Sequence, residues 1–127
     1  VKLLGTFVTR ETAMNIHEQK VGDVTVLTLG ETDVGDNVDT ALKVAIHQLI
    51  QENSSAHIVV DLAKVKWMTS SAFGLLAAAQ GKLRPNGGGI HLARPKDRVV
   101  SAFNIMQLEK LFSRYDSVEQ AVNGFKS

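Results

Sequence analysis

The chain has 127 residues, 44% hydrophobic and 21% charged, which fits one globular domain with one core and excludes extensive disorder. With 14 Lys+Arg against 13 Asp+Glu, the formal charge of +1 supplies no general electrostatic drive toward nucleic acid or an anionic membrane. Cysteine is absent, so disulfides, thiolate zinc sites and a cysteine nucleophile are excluded, and no apolar run approaches the roughly 20 residues that span a bilayer.

Val1-Lys2-Leu3-Leu4-Gly5 lacks the apolar core and cleavage pattern of a secretory signal, so a cytoplasmic protein is expected. Residues 1–13 are read as an N-terminal extension of unassigned role, and the domain as residues 14–127. Met14 and Ile16, then Val24, Val26, Leu27 and Leu29, form two strand-like runs about a Gly22-Asp23 turn, which predicts a hairpin. After the polar stretch 30–37, Val38, Leu42, Ala45, Ile46, Leu49 and Ile50 recur at helical spacing until Asn53-Ser54-Ser55. His57-Ile58-Val59-Val60-Asp61-Leu62 is continuously apolar at its centre and β-branched, the pattern of a strand buried on both faces.

Ala72, Leu75, Leu76, Ala79 and Leu83 then mark a second helix, stopped by Pro85-Asn86-Gly87-Gly88-Gly89. Trp67 and Met68 are expected to pack beneath its start. Ile90-His91-Leu92-Ala93 reads as a strand, Pro95 opens a helix with Val99, Val100 and Phe103 inward, and Leu108, Leu111 and Phe112 continue the core. Ser117-Val118-Glu119-Gln120 has capping-box spacing ahead of a last helix anchored by Val118, Ala121, Val122 and Phe125. A hairpin followed by alternating helices and strands predicts an α/β fold: a single domain with a mixed sheet, its later strands parallel, and helices packed mainly on one face.

The chemistry concentrates where the buried strand passes through Met68-Thr69-Ser70-Ser71-Ala72-Phe73-Gly74 into the second helix. Hydroxyls at a strand-to-helix junction accept hydrogen bonds from the unpaired first N–H groups of a helix. The same donors, with the helix dipole, accommodate a phosphate, which adds about −1.5 to −2 charges. Capping and phosphorylation are both open at this point. Phe73 falls off the apolar stripe and is expected to be exposed beside Ser70 as a partner anchor.

Other chemistries are weakly supported. Gly87-Gly88-Gly89 lacks the Lys-Ser/Thr ending of a phosphate loop and follows a helix, so a turn is expected. There is no Gly-x-Ser-x-Gly elbow, and His17, His47, His57 and His91 lie on different elements without paired ligand spacing, so neither a catalytic residue nor a metal site is assigned. Lys82, Arg84, Arg94, Lys96 and Arg98 lack interleaved aromatics and read as a solvated rim instead of a nucleic-acid surface. No cofactor is expected.

Gly30-Glu31-Thr32-Asp33 after a strand, Val59-Val60-Asp61-Leu62, the Met68–Leu75 corner and Gly88-Gly89 before Ile90 together resemble the STAS domain of anti-sigma-factor antagonists, also found in sulphate transporters. The resemblance runs from Met14 to Phe125. In the antagonists the corner reads Asp-Ser-Ser-Gly, and the serine after the aspartate is phosphorylated by an anti-sigma factor that is also a serine kinase. The resemblance therefore implies phosphorylation at Ser70, with Thr69 and Ser71 as alternates. In that family the unmodified protein binds the anti-sigma factor, phosphorylation breaks the complex, and a phosphatase restores it.

Glu31, Thr32 and Asp33 match the family's Gly-Glu-Leu-Asp loop near the partner surface, with Thr32 in place of the aliphatic residue. With Thr69, Ser71 and Phe73 they form the expected partner-binding set. Thr69 stands where the aspartate usually precedes the acceptor, and Ala72 replaces the glycine. The resemblance implies a second setting too: an unmodified accessory subunit bound to the ATPase of a bacterial lipid-transport ABC complex, a group whose STAS subunits often carry threonine near this corner.

Overall fold

The computed structural model describes residues 9–11, 16–30, 33–34 and 36–126, with the backbone alone at 9–11 and 33–40. The first strand, β1 (Thr9–Glu11), pairs antiparallel with β2 (Ile16–Val21), and β2 pairs antiparallel with β3 (Val24–Leu29). Val21 faces Val24 across the expected turn, where Gly22 adopts φ +62°, a left-handed conformation that glycine reaches without steric cost. Met14 lies outside the described residues. Strand β1 falls within the segment read as an extension, where three residues offer no periodicity to read.

The chain continues through β4 (Asp33–Val34), α1 (Asp36–Glu52), β5 (His57–Asp61), β6 (Trp67–Met68) and α2 (Ser70–Leu83). A 3-10 turn at Arg84–Asn86 leads to β7 (Gly89–Ala93), α3 (Asp97–Ile105), β8 (Ser113–Tyr115) and α4 (Val118–Asn123). The main sheet has six strands in the order β1-β2-β3-β5-β7-β8, with β3, β5, β7 and β8 mutually parallel. It is the expected mixed sheet.

Because side chains alternate across a strand, the continuously apolar β5 serves two cores at once. Ile58 and Val60 join Leu27, Ile90 and Leu92 beneath α1, α2 and α3, with Leu42, Ile46, Leu76, Leu83, Val99 and Phe103 among the buried helical partners. Val59 points the other way, into a smaller cluster with Val24, Val26, Ala93, Ala121 and Val122 under α4. Three helices therefore cover one face and a short one the other.

Gln80 sits at the end of α2 among apolar residues and is only 5% exposed. Its Oε1 accepts from the Ile90 N–H at 2.7 Å and its Nε2 donates to the Leu111 carbonyl at 2.6 Å, so a buried amide is satisfied while it ties α2 to β7 and to the approach to β8. The glycine run behaves as a turn: Gly87 has φ +88°, and a Cβ on Gly88 would stand 2.5 Å from the Ala56 carbonyl oxygen. At α4, Ser117 Oγ accepts from the Gln120 N–H at 3.0 Å, as the spacing predicts. The reciprocal bond of that box is displaced by one residue, from the Asp116 N–H to Gln120 Oε1 at 3.3 Å.

Candidate functional site

The corner is assembled by three local devices. The first is at the end of β5, where Asp61 is buried and its carboxylate accepts two bonds from Arg94, from Nε at 3.1 Å and Nη2 at 2.6 Å, and a third from the Ala63 N–H at 3.2 Å. Arg94 follows β7 with φ +54°, an uncommon conformation for a residue with a Cβ, and its N–H donates to the Tyr115 carbonyl at 2.8 Å. Hydrogen bonding to Asp61, reinforced by its charge, raises the Arg94 guanidinium further above its already high ordinary pKa. The bidentate pair fixes the exit of β5 against β7. Arg94 is thus a structural partner, where the sequence suggested a solvated rim residue.

The second device is the pairing of β4 with β6, a separate two-stranded parallel sheet in which Asp33 faces Trp67 and Val34 faces Met68. It joins the Gly30–Asp33 loop to the corner, two regions separated by all of α1 and β5. Glu31 and Thr32 lie outside the described residues, and Asp33 is described by its backbone alone. Of the predicted loop residues, Asp33 is therefore placed beside the corner, at the head of the pairing.

The third device is the cap of α2. Thr69 has extended backbone angles, φ −73° and ψ 159°, and its Oγ1 accepts from the Ala72 N–H at 3.2 Å. Ser70 is the first residue of the helix, Ser70 and Ser71 are exposed, and the Ser70 hydroxyl has no hydrogen-bond partner among the described residues. Capping is thus assigned to Thr69, which leaves Ser70 at the positive end of a helix of 14 residues.

The aromatic neighbours exchange their expected roles. Phe73 is 2% exposed and meets Phe103 of α3 edge to face, with ring centroids 4.7 Å apart, so it is a core residue and not an exposed anchor. Its position follows from α2 having two sets of neighbours: Ala72, Phe73, Leu76, Ala79, Gln80 and Leu83 form the buried arc, while Leu75 is only partly buried. Trp67, expected beneath the corner, is instead 42% exposed, whereas Met68 is buried as expected. The alternation of β6 turns Met68 inward and Trp67 outward. The exposed aromatic two residues before the cap is Trp67.

The histidines that looked scattered partly converge. His57 and His91 both stack on Phe125, with centroids 4.5 and 3.6 Å away and planes within 9° and 2°, while His91 Nδ1 donates to the Ala121 carbonyl at 2.9 Å. Burial lowers the His91 pKa below 6.5, the charge on His57 adds to that, and the bond to Ala121 opposes it. Among the described residues no group of His, Asp and Glu is arranged to hold a metal ion. None of the described helices is long and apolar enough to cross a membrane.

A family model described as the STAS domain matches residues 15–121 of this chain, from the start of the hairpin into α4. The chain belongs to the STAS domain family. Solved structures share this STAS fold across the chain. An anti-sigma factor antagonist from Mycobacterium paratuberculosis superposes with a TM-score of 0.75 at 19% identity, covering 100% of both chains. The Bacillus cell fate determinant SpoIIAA in its phosphorylated form gives 0.66 at 16% identity, covering 94% of this chain and 99% of its own. A sulfate transporter family protein from Wolinella succinogenes gives 0.64 at 14% identity, over 82% and 85% of the two chains. At these identities the STAS likeness is one of fold.

Proposed function

We propose that this STAS domain is a regulatory protein of the anti-sigma-factor-antagonist kind, which binds a serine-kinase anti-sigma partner and is switched by phosphorylation at Ser70, with a phosphatase reversing the mark. The reading rests on one observation above the rest: the cap of α2 is supplied by Thr69, so the neighbouring Ser70 hydroxyl is exposed and uncommitted among the described residues. A phosphate placed there meets the N-terminal end of a helix dipole, which favours the charge without requiring the domain to unfold. The partner surface is assigned to Glu31, Thr32 and Asp33 together with Thr69 and Ser71, and Trp67 takes the anchoring role that the buried Phe73 cannot fill. The domain acts as a kinase substrate and has no turnover of its own in this scheme, which places it in the cytoplasm of a bacterium as a control element of transcription.

The neutral Thr69 favours one second reading, an accessory subunit of a lipid-transport ABC complex whose ATPase contacts the same corner unmodified. Affinity capture from native lysate, with mass spectrometry of partners and phosphosites, separates the two. Under the switch, wild-type and Ser70→Ala baits retain a kinase-class protein, and phosphate is found on Ser70 of wild type. Stable recovery of an ABC ATPase, with no phosphate at Thr69, Ser70 or Ser71, replaces it with the transporter reading.

A further inference from the structure

At the opposite end of α2 from Ser70 lies a polar hollow, of about 240 Å3, lined by Gln80, Arg84, Gly89, His91, Lys110 and Ser113 together with neighbouring apolar side chains. Its lining contains two permanent cations and no carboxylate, and neither Arg84 nor Lys110 has an acidic partner among the described residues. Two like charges around one concavity disfavour each other unless an anion sits between them.

The walls are held in place independently of any ligand. Gln80 bonds both Ile90 and Leu111, which fixes β7 and the Lys110–Ser113 segment relative to the end of α2. A flat wall is supplied by His91 and Phe125, stacked within 2° of parallel. The glycine run contributes shape without an amide cradle, because the N–H groups of Gly87, Gly88 and Gly89 already donate to the carbonyls of Arg84, Leu83 and Ala56. With Nδ1 committed to Ala121, a neutral His91 has no further N–H to offer. Recognition therefore falls to the Arg84 guanidinium, the Lys110 ammonium and the Ser113 hydroxyl.

We propose that this hollow binds a small oxyanion of the phosphate class, as free phosphate or a phosphate monoester. The planar fork of Arg84 suits two oxygens of a tetrahedral oxyanion, and Lys110 supplies a point charge on a flexible stem. At roughly 30 Å3 for one water, the volume holds a phosphate with space for a small organic group beside it. The site is independent of the Ser70 switch, since it lies at the other end of the helix.

Amide NMR titration of the whole chain with inorganic phosphate and with glycerol 3-phosphate, against potassium chloride at matched ionic strength, tests it. Saturable shifts at Gly88, Gly89 and Ser113 are expected with either phosphate and not with chloride. Arg84→Gln with Lys110→Gln should weaken binding by about tenfold or more at an unchanged thermal unfolding curve, since both side chains are exposed. The single Lys110→Gln should show a smaller loss, and Ser70→Ala none. Tighter binding of the ester assigns the site to a phosphorylated small molecule, and equal binding assigns it to free phosphate. Shifts that stay linear with phosphate, are matched by chloride, or persist undiminished in the folded double variant overturn the site.

Discussion

Thr69 and Ala72, the two positions at which the corner departs from Asp-Ser-Ser-Gly, are hydrogen-bonded to each other, the Ala72 N–H donating to Thr69 Oγ1 at 3.2 Å. A neutral hydroxyl thus caps the helix at the position where the antagonists carry a carboxylate, and the Ala72 methyl is fully buried in the core. Thr69→Ala should cost about 1 kcal/mol through the lost cap. Thr69→Asp should keep a side-chain cap and add about 0.3–1 kcal/mol from the helix dipole. Urea denaturation checks both, and a Thr69→Ala midpoint equal to wild type would contradict the cap.

Ser70 should separate stability from binding. Its side chain is exposed and makes no hydrogen bond among the described residues, so Ser70→Ala and Ser70→Asp are each expected within about 0.5 kcal/mol of wild type. Under the proposed switch, Ser70→Asp loses affinity for the kinase partner while Ser70→Ala keeps it. Calorimetric titration reads the affinities, and equal values for wild type, Ser70→Ala and fully phosphorylated protein would remove the switch.

The exchange between Trp67 and Phe73 gives a paired test. Phe73→Ala removes a ring packed against Phe103 and should cost about 3–5 kcal/mol. Trp67→Ala removes an exposed ring, so it should affect folding far less, and if Trp67 is the anchor it should weaken partner binding by about 2 kcal/mol or more. A Trp67→Ala variant with full affinity would leave the corner without an aromatic contact.

The hairpin was legible from the Gly22-Asp23 turn between two strand-like runs, α1 and α2 from apolar residues recurring at a period near 3.6, and β5 from its unbroken apolar centre. Pairings of two or three residues carry no period, which is why β1, β4, β6 and β8 escaped, and with them the contact between Asp33 and Trp67. Phe73 was misplaced because a single stripe assumes one neighbour, whereas α2 also meets Phe103 of α3. Asp61 and Arg94 are 33 positions apart in sequence, and only parallel pairing of β5 with β7 brings them together. Apolar pattern reports which faces are buried, and polar contacts of this kind depend on register, which a single sequence does not display.

His91 should make the domain less stable in mild acid. Burial holds its folded pKa below the ordinary 6.5, with the nearby His57 adding to the effect and the Ala121 bond opposing it. Well above 6.5 the ring is neutral in both states, and its contribution to stability is complete. As pH falls through that value the unfolded chain takes up a proton that the folded chain refuses, so stability declines until the lower folded pKa is passed. Urea midpoints should therefore drop between about pH 7.5 and about pH 5.5. His91→Gln retains an N–H donor for the Ala121 carbonyl but cannot titrate, so the drop should shrink in that variant. An identical pH slope in wild type and His91→Gln would show that the stacked imidazole is not the group being protonated.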